Sequence, residues 1–408
     1  MTDQLKYRKI IRLNRQLNNL KLDFVAKKTG ISKSQLSRIE LNKEDISKEN
    51  IEKIFNIMNL QTNNKNIDLL FENDFYNFYE NIVYDRNFNS SYQKILSYSS
   101  YIQTTLSYVK YLLAQMIYSI VKNKNDNFQP YLYIEDYLEY LESYQIQIYY
   151  DYIGTSLYLL NDYKRANHYF KIANSYKGDV LSESMLYYHE SMNYRHIGYL
   201  SLSYEYIKKA YHIFADSLNI KRLILSKMQI AIIENNKRNF KESVIIFNQC
   251  IKASKELNIH IISTLYNNLL WTYLLWGKYD KVIELKDEAN QYMINDHRLY
   301  FYLSYAYEQL ELHEEAKKFI KLAKTYMKNP TSYMEKMIYA YSIYLSHSSI
   351  EKKEKYLLSV YQTVQSSYDP ELIVFILDLL IHFYKTNNDV EKAFHYQEKL
   401  LDYYKKTY

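Results

Sequence analysis

The scarcity of glycine and proline constrains this chain more than any other feature of its sequence. Among 408 residues there are 5 glycines and 3 prolines, and these two residues supply the backbone conformations that tight turns between strands require. Because a sheet-rich fold of this length needs many such turns, the sequence predicts an all-α protein. The five glycines also fit neither of the Gly-rich phosphate-binding motifs, which argues against nucleotide-cradling enzymes.

The chain is long enough for more than one globular unit, since its residues are 48% hydrophobic and only 24% charged. Its single cysteine, Cys250, forms neither an internal disulfide nor a multi-cysteine metal site. The first residues lack the apolar core of a signal peptide. We therefore expect a cytoplasmic protein that binds no metal ion and no other cofactor.

The longest uncharged run, residues 257–277, has the length of a membrane span. It carries Asn258, His260, Asn267 and Asn268, and such polar side chains are expensive inside a bilayer. We therefore interpret the run as a buried helix of a soluble protein and expect no membrane association.

The positive charge is concentrated at the start of the chain. Residues 1–65 hold 14 Lys and Arg against 7 Asp and Glu, whereas the remaining residues hold 38 basic and 39 acidic groups. A compact basic segment of this kind is typical of a module that binds polyanions, and a merely solvated basic face is the alternative.

The same basic segment has the pattern of a helix-turn-helix. Residues 4–18 predict an amphipathic helix, and residues 22–29 predict a short second helix that ends at Gly30, where a positive φ permits a sharp turn. Ser32 is placed to cap a third helix with a polar outer face, and Ser47 to cap a fourth. This order of elements is that of a DNA-binding helix pair.

Three runs carry a family resemblance: I-R-x-x-R at residues 11–15, L-x4-V-A at residues 20–26 and G-I-S-K-S-Q-L-S-R-I-E at residues 30–40. With these runs, residues 1–65 resemble a Cro/repressor-type (Xre) helix-turn-helix DNA-binding domain. The resemblance implies that the third helix lies in the major groove of double-stranded DNA.

In that position, the amide of Gln35 suits adenine, and the guanidinium of Arg38 suits guanine or a phosphate. The other candidate contacts are Lys33, Ser34 and Ser37 around them, and Lys27, Lys28 and Lys43 toward the phosphates. Arg12 and Glu40 are expected to pair with each other inside the domain rather than to contact DNA. If no DNA is bound, the lysines are simply solvated charges.

The remainder of the chain repeats a helical pattern. Equivalent positions recur every 34 to 40 residues, at Phe88, Phe128, Tyr163, Leu200, Phe240, Tyr279, His313, Ile350 and Val390. Each interval has room for two helices and two short loops, which predicts a stack of helical hairpins. An ordinary helical bundle is the alternative.

These repeats resemble tetratricopeptide repeats, with the small residues Ala166, Ser203, Ser243 and Ala316 where the second helix of each pair must pack closely. The resemblance implies that residues 66–408 form a right-handed tetratricopeptide-like helical solenoid, whose first helices line a groove for a peptide.

Six side chains of these first helices are candidates for peptide contact. An asparagine amide donates to and accepts from one peptide unit, and an arginine holds a carboxylate with two hydrogen bonds. The candidates are Arg195, Asn235, Asn236, Asn267, Arg298 and Glu308. The alternative is that each is an ordinary solvated groove residue or helix end.

Together, the two parts are similar to the Rgg, PlcR, PrgX and arbitrium-receptor group of peptide-sensing transcription regulators. This implies a cytoplasmic homodimer that binds a short signalling peptide, changes its DNA binding accordingly, and dimerises through C-terminal helices, here residues 389–405. Two alternatives stay open: a regulator whose repeats bind a protein partner, and a repeat scaffold with a vestigial N-terminal domain. Neither an H-E-x-x-H nor a G-x-S-x-G motif occurs, so we expect no enzyme activity.

Overall fold

The computed structural model describes residues 3–60, 67–123, 128–328, 332–365 and 370–407, and none of these residues lies in a β-strand. The all-α prediction is therefore confirmed. The chain divides into two compact units, Met1–Leu186 and Tyr187–Tyr408. The domain boundary predicted between residues 65 and 66 lies outside the described residues.

Among the described residues, the first unit contains α-helices and two 3-10 segments. Its helices are α1 (Asp3–Leu17), α2 (Leu22–Thr29), α3 (Lys33–Glu40), α4 (Lys48–Ile57), α5 (Ile67–Val83), α6 (Phe88–Leu96), α7 (Tyr108–Asn123), α8 (Ser143–Leu159) and α9 (Tyr163–Ala173), and α10 (Val180–His196) crosses into the second unit. The 3-10 segments are Ile102–Thr104 and Gln129–Tyr140.

The predicted caps form in the helix-turn-helix. Gly30 follows α2 with φ 75°, the left-handed conformation that lets the chain turn sharply into α3. The Ser32 hydroxyl accepts from the Gln35 N–H at 3.1 Å, and the Ser47 hydroxyl accepts from the Asn50 N–H at 3.2 Å. Each cap satisfies an N–H that the first helical turn leaves unpaired.

The buried ion pair of this domain differs from the predicted one. Arg15, not Arg12, binds Glu40, through Nε to Oε1 at 2.6 Å and Nη2 to Oε2 at 2.7 Å. Arg12 is exposed because its neighbours Ile11 and Leu13 point into the core. The hydrogen bond to Glu40 raises the pKa of Arg15, although burial opposes this effect.

The second unit consists of successive helix pairs. Its helices are α11 (Leu200–Asp216), α12 (Ile220–Asn236), α13 (Phe240–Glu256), α14 (Ile262–Trp276), α15 (Tyr279–Glu284), α16 (Lys286–Asn290), α17 (His297–Gln309), α18 (His313–Thr325), α19 (Tyr333–Tyr344), α20 (Ile350–Gln365), α21 (Pro370–Thr386) and α22 (Val390–Thr407). The uncharged run at residues 257–277 contains α14, most of whose apolar side chains are buried. Among the described residues, no helix is both long and apolar enough to span a membrane.

The predicted repeat register marks the second helix of each pair. With the exception of Phe128, every predicted position is the first residue of a helix. In six of the turns, a left-handed residue lies two positions earlier, with φ from 61° to 86°: Asn161, Gly198, Arg238, Gly277, Glu311 and Asn388. The Phe128 assignment is wrong, because the segment after it is 3-10 and its backbone leaves helical geometry at Tyr137 (φ −130°).

The small residues pack against a second small residue twelve positions earlier. Ser191 and Ser203 exchange hydrogen bonds between hydroxyl and carbonyl groups at 2.8 and 2.7 Å. The Ser304 hydroxyl donates to the Ala316 carbonyl at 2.7 Å. The same spacing relates two further buried pairs, Gly154 with Ala166 and Ala231 with Ser243. Close approach of two backbones at this position is what the tetratricopeptide resemblance implies.

Helix α21 lies in the core of the second unit. Its residues 372–377 are all buried, as expected for a helix that is apolar on every side. The ring centroid of Phe375 lies 5.3 Å from that of Trp271 and 4.9 Å from that of Tyr305. Side chains of α14, α17 and α21 therefore meet within one hydrophobic cluster.

Candidate nucleic-acid interface and ligand cavities

Helix α3 presents a polar face to solvent. Lys33, Ser34 and Arg38 are exposed, while Gln35 and Ser37 are half-buried. Leu36 and Ile39 of the same helix are fully buried and fix its orientation. The structure therefore brings the predicted base-reading residues together on one face of one helix.

The two principal base-reading candidates share one partner that the sequence reasoning missed. Glu44, in the turn after α3, accepts from Gln35 Nε2 at 2.8 Å and from Arg38 Nε at 3.0 Å. The backbone carbonyl of Glu44 accepts from Arg8 Nη1 at 3.2 Å, and Arg8 also lies 3.5 Å from the Asp45 carboxylate. Glu44 belongs to no helical pattern in the sequence, so its contacts could be found only in the folded structure.

The three lysines predicted to contact phosphates are exposed. Lys27 lies 3.3 Å from Asp23, which also lies 3.8 Å from Lys33. Exposed ion pairs of this kind contribute about 0 to 1 kcal/mol, so they leave Lys27, Lys28 and Lys43 available for a phosphate.

In the second unit, three donors meet one carboxylate. Glu371, in the first turn of α21, accepts from Asn235 Nδ2 at 2.7 Å, from Asn236 Nδ2 at 3.2 Å and from the indole N–H of Trp271 at 2.6 Å. Two of the predicted peptide contacts are thus already engaged through their donors. Neither Trp271 nor Glu371 was predicted, because both lie in largely apolar stretches that indicate only a core.

The acceptor atoms of the same two amides are unpaired. Within the described ranges, no group reaches Asn235 Oδ1 or Asn236 Oδ1, and the same is true of both amide atoms of Asn193 and of Gln229 Nε2. These residues are at most 5% exposed. A buried amide without a partner is costly, so α10 and α12 hold unused hydrogen-bonding capacity.

The other predicted peptide contacts have partners close by in the sequence or in the next helix pair. Asn267 Oδ1 accepts from the Tyr302 hydroxyl at 3.0 Å, and Arg195 Nη2 donates to His196 Nε2 at 2.8 Å. Glu308 Oε2 lies 3.0 Å from His313 Nδ1, and this hydrogen bond raises the pKa of His313.

Arg298 is held by the residue that caps its own helix. It donates from Nε to Asp296 Oδ1 at 3.0 Å and from Nη2 to Asp296 Oδ2 at 2.5 Å. Burial alone would raise the pKa of Asp296, but hydrogen bonds from the Arg298 side chain and backbone outweigh it and lower that pKa.

A cavity of about 240 Å³ lies among α14, α17 and α21. Its lining combines apolar and polar groups: Arg238, Leu274, Leu275, Tyr279, Tyr305, Gln309, Phe375, Asp378, Leu379 and His382. Burial raises the pKa of Asp378, and the charge of Arg238 opposes that rise. Arg238 and Leu275 also border a small recess that contains Asn235, Asn236 and Glu371.

Comparison with known proteins identifies the N-terminal segment. A sequence profile described as helix-turn-helix matches residues 11–63. No curated protein sequence matches the chain. The N-terminal segment is therefore a helix-turn-helix domain, as predicted.

Solved structures show the fold of the rest. The apo form of the quorum sensor NprR from B. thuringiensis is similar over 83% of this chain and 99% of its own, with 14% identity and a TM-score of 0.62. NprR in complex with its cognate peptide NprX matches 81% of this chain and 98% of its own, with 15% identity and a TM-score of 0.59.

The Rap conjugation gene regulator of plasmid pLS20, in complex with the Phr* peptide, matches 82% of this chain and 96% of its own, with 13% identity and a TM-score of 0.53. The predicted resemblance is thus confirmed as a fold, a helix-turn-helix joined to tetratricopeptide-like helix pairs.

Proposed function

We propose that this chain is a cytoplasmic transcription regulator that binds operator DNA as a homodimer and changes its DNA binding when a short signalling peptide occupies the repeat domain. In this proposal, residues 1–65 bind DNA, and residues 66–408 bind the peptide and form the dimer. The proposal assigns no catalytic step to any residue.

The exposed face of α3 supports the DNA-binding half. Gln35 and Arg38 offer an amide and a guanidinium one helical turn apart, which matches the adenine and guanine edges in a major groove. Lys27, Lys28 and Lys43 supply phosphate contacts, so binding should weaken steeply as salt rises.

The unpaired buried amide atoms are the observation that carries the peptide-binding half. A peptide in an extended conformation supplies backbone N–H donors and carbonyl acceptors at regular intervals. The unpaired Oδ1 atoms of Asn235 and Asn236 accept such N–H groups, and the amide of Asn193 pairs with one peptide unit. The peptides bound to NprR and to the pLS20 Rap protein in their solved complexes support this assignment.

The predicted dimer contact has an apolar strip on α22. Val390, Phe394 and Leu401 are 76%, 60% and 53% exposed, and they recur at intervals of four and seven residues along one side of the helix. Such a strip is unusual on a solvent-facing helix and is typical of a surface that a second subunit covers.

The test combines calorimetry with electrophoretic mobility shift on the upstream intergenic DNA at two salt concentrations, with and without synthetic peptides from the small open reading frame beside the gene. We expect specific, salt-sensitive binding that one peptide alters. Asn236→Ala should lower the affinity for the peptide at least tenfold and leave DNA binding in the absence of peptide unchanged.

Asn239→Ala is the matched control, because Asn239 is an exposed residue in the turn between α12 and α13, and its amide donates to Glu234 at 2.9 Å. Equal losses in the two variants would contradict the assignment of the amides. DNA binding that no peptide changes would instead favour a protein partner for the repeats.

A further inference from the structure

Glu44 contacts both of the side chains that are suited to base recognition. Its carboxylate is 30% exposed, lies in the turn that follows α3, and binds one side chain with each oxygen. The turn itself is anchored, because Arg8 of α1 donates to the Glu44 backbone carbonyl. The carboxylate therefore has a fixed position beside the outer face of α3.

The contact with Arg38 leaves the reading end of that side chain free. Glu44 accepts the Nε–H, whereas a guanine is contacted by the two terminal nitrogens of an arginine. An arginine that is 59% exposed samples many rotamers, and ordering it on DNA opposes binding. Because Glu44 already orders Arg38 in the free protein, most of this entropic cost of DNA binding is avoided.

The contact with Gln35 fixes the orientation of its amide. A carboxylate only accepts hydrogen bonds, so Nε2 must face Glu44 and Oε1 must face away. Nε2 keeps a second hydrogen, and together with Oε1 it forms the donor and acceptor pair that matches adenine N7 and N6.

The charge of Glu44 also acts against the wrong DNA. To reach a phosphate instead of a base edge, Arg38 must leave the carboxylate, which then lies near a polyanion without its positively charged partner. Non-cognate binding, which rests on phosphate contacts, is therefore weakened more than cognate binding.

We propose that Glu44 is a positioning residue that sets base specificity by orienting Gln35 and Arg38 on the DNA-reading helix. This inference rests on the proposed DNA-binding function. It adds a residue outside the recognition helix to the determinants of the operator sequence.

The test is selection of sequences from a random duplex library by the full-length protein, followed by measurement of the affinity ratio between the selected duplex and random DNA. Glu44→Gln replaces one accepting oxygen by an NH2 donor, which faces the N–H donors of Gln35 and Arg38. We expect it to lower the ratio about tenfold, the scale of one lost bidentate base contact. The loss of base preference should occur at the same base pairs of the selected duplex at which Gln35→Ala and Arg38→Ala also abolish the preference.

Asp45→Asn is the control, because it removes the same charge from the next residue, and Asp45 contacts Arg8 rather than the reading side chains. It should change the ratio less than twofold. In an Arg38→Ala, Gln35→Ala background, Glu44→Gln should also have less than a twofold effect, and unfolding curves verify that each variant is folded.

Equal effects of Glu44→Gln and Asp45→Asn would overturn the proposal in favour of simple charge repulsion, and so would a full effect of Glu44→Gln in the double-alanine background. Failure of the wild-type protein to select any sequence would instead refute the proposed DNA-binding function.

Discussion

At the scale of single residues, Arg12 and Arg15 show what a helical pattern leaves open. They lie three positions apart on α1, and the helical pattern of the sequence would allow either of them to contact α3. The rotation of α1 decides between them, and it is fixed by the burial of Ile10, Ile11 and Leu13. Arg15 is thereby placed over Glu40, which is 6% exposed.

Replacing these two arginines in turn should separate the buried pair from a surface charge. Arg15→Met leaves the carboxylate of Glu40 buried without its partner, and we expect it to lower the free energy of unfolding by about 3 kcal/mol. Arg12→Met removes the same charge from an exposed position and should change it by less than about 0.5 kcal/mol. Urea unfolding of both variants is the measurement, and similar losses would contradict the assignment.

Arg298 allows a prediction about pH. The pKa of Asp296 is lowered by Arg298 in the folded protein, so the pair stabilises the fold above the ordinary aspartate pKa of 3.8 and loses this effect as the pH falls below it. Arg298→Gln should therefore lower the free energy of unfolding at pH 6 by about 1 kcal/mol, since the pair is partly exposed, and the melting temperature should fall accordingly. The difference from wild type should shrink as the pH falls from 4 toward 2, and a constant difference would contradict this account.

At the scale of elements, the sequence predicted the second helix of each pair better than the functional contacts. The repeat register and the small residues follow from packing rules that recur in most of the pairs, so they could be predicted from the sequence. Glu44 and Glu371 are not, because each contact joins a turn or helix start to a side chain whose distance depends on the finished fold. Asn235 and Asn236 were predicted as peptide contacts, but Glu371, which accepts from both of their amides, was not predicted.

Gly154 offers a direct test of the close packing between paired helices. A Cβ at this position would lie 2.6 Å from Phe170 Cε1, and Phe170 is 1% exposed, so its ring has no free space to move into. Gly154→Ala should lower the free energy of unfolding by about 1 to 3 kcal/mol, although alanine is normally the better helix former. Phe170→Leu should cost less in the Gly154→Ala background than alone, and additive losses measured by urea unfolding would refute the steric explanation.

At the scale of the whole molecule, the helix-turn-helix is joined to later helices of its own unit. On α1, Lys6 lies 2.9 Å from Asp68, and Asn14 Nδ2 donates to the Gln103 carbonyl at 2.7 Å. Lys9 lies 3.0 Å from Glu139. The DNA-binding domain is therefore held by residues 67–140 through several contacts rather than carried on a free linker.

Asn14 tests how far this attachment extends. It is fully buried, and Asn14→Ala removes its hydrogen bonds to the Ile10 and Gln103 carbonyls. We expect a loss of about 1 to 3 kcal/mol and faster hydrogen exchange in both α1 and residues 100–123. Asn18→Ala, which removes one bond to the Asn14 carbonyl at a more exposed site, should affect the end of α1 alone. Faster exchange confined to α1 in both variants would show that the attachment is weak.

The placement of the two tryptophans gives this chain a built-in optical label. Trp271 and Trp276 both lie on α14 of the second unit, whereas α3, the helix predicted to contact DNA, lies in the first unit and contains no tryptophan. Light absorbed at the red edge of the indole band is thus absorbed in the second unit alone. A change in indole emission when an unlabelled duplex is added therefore reports an effect of DNA on the second unit, without any chemical modification.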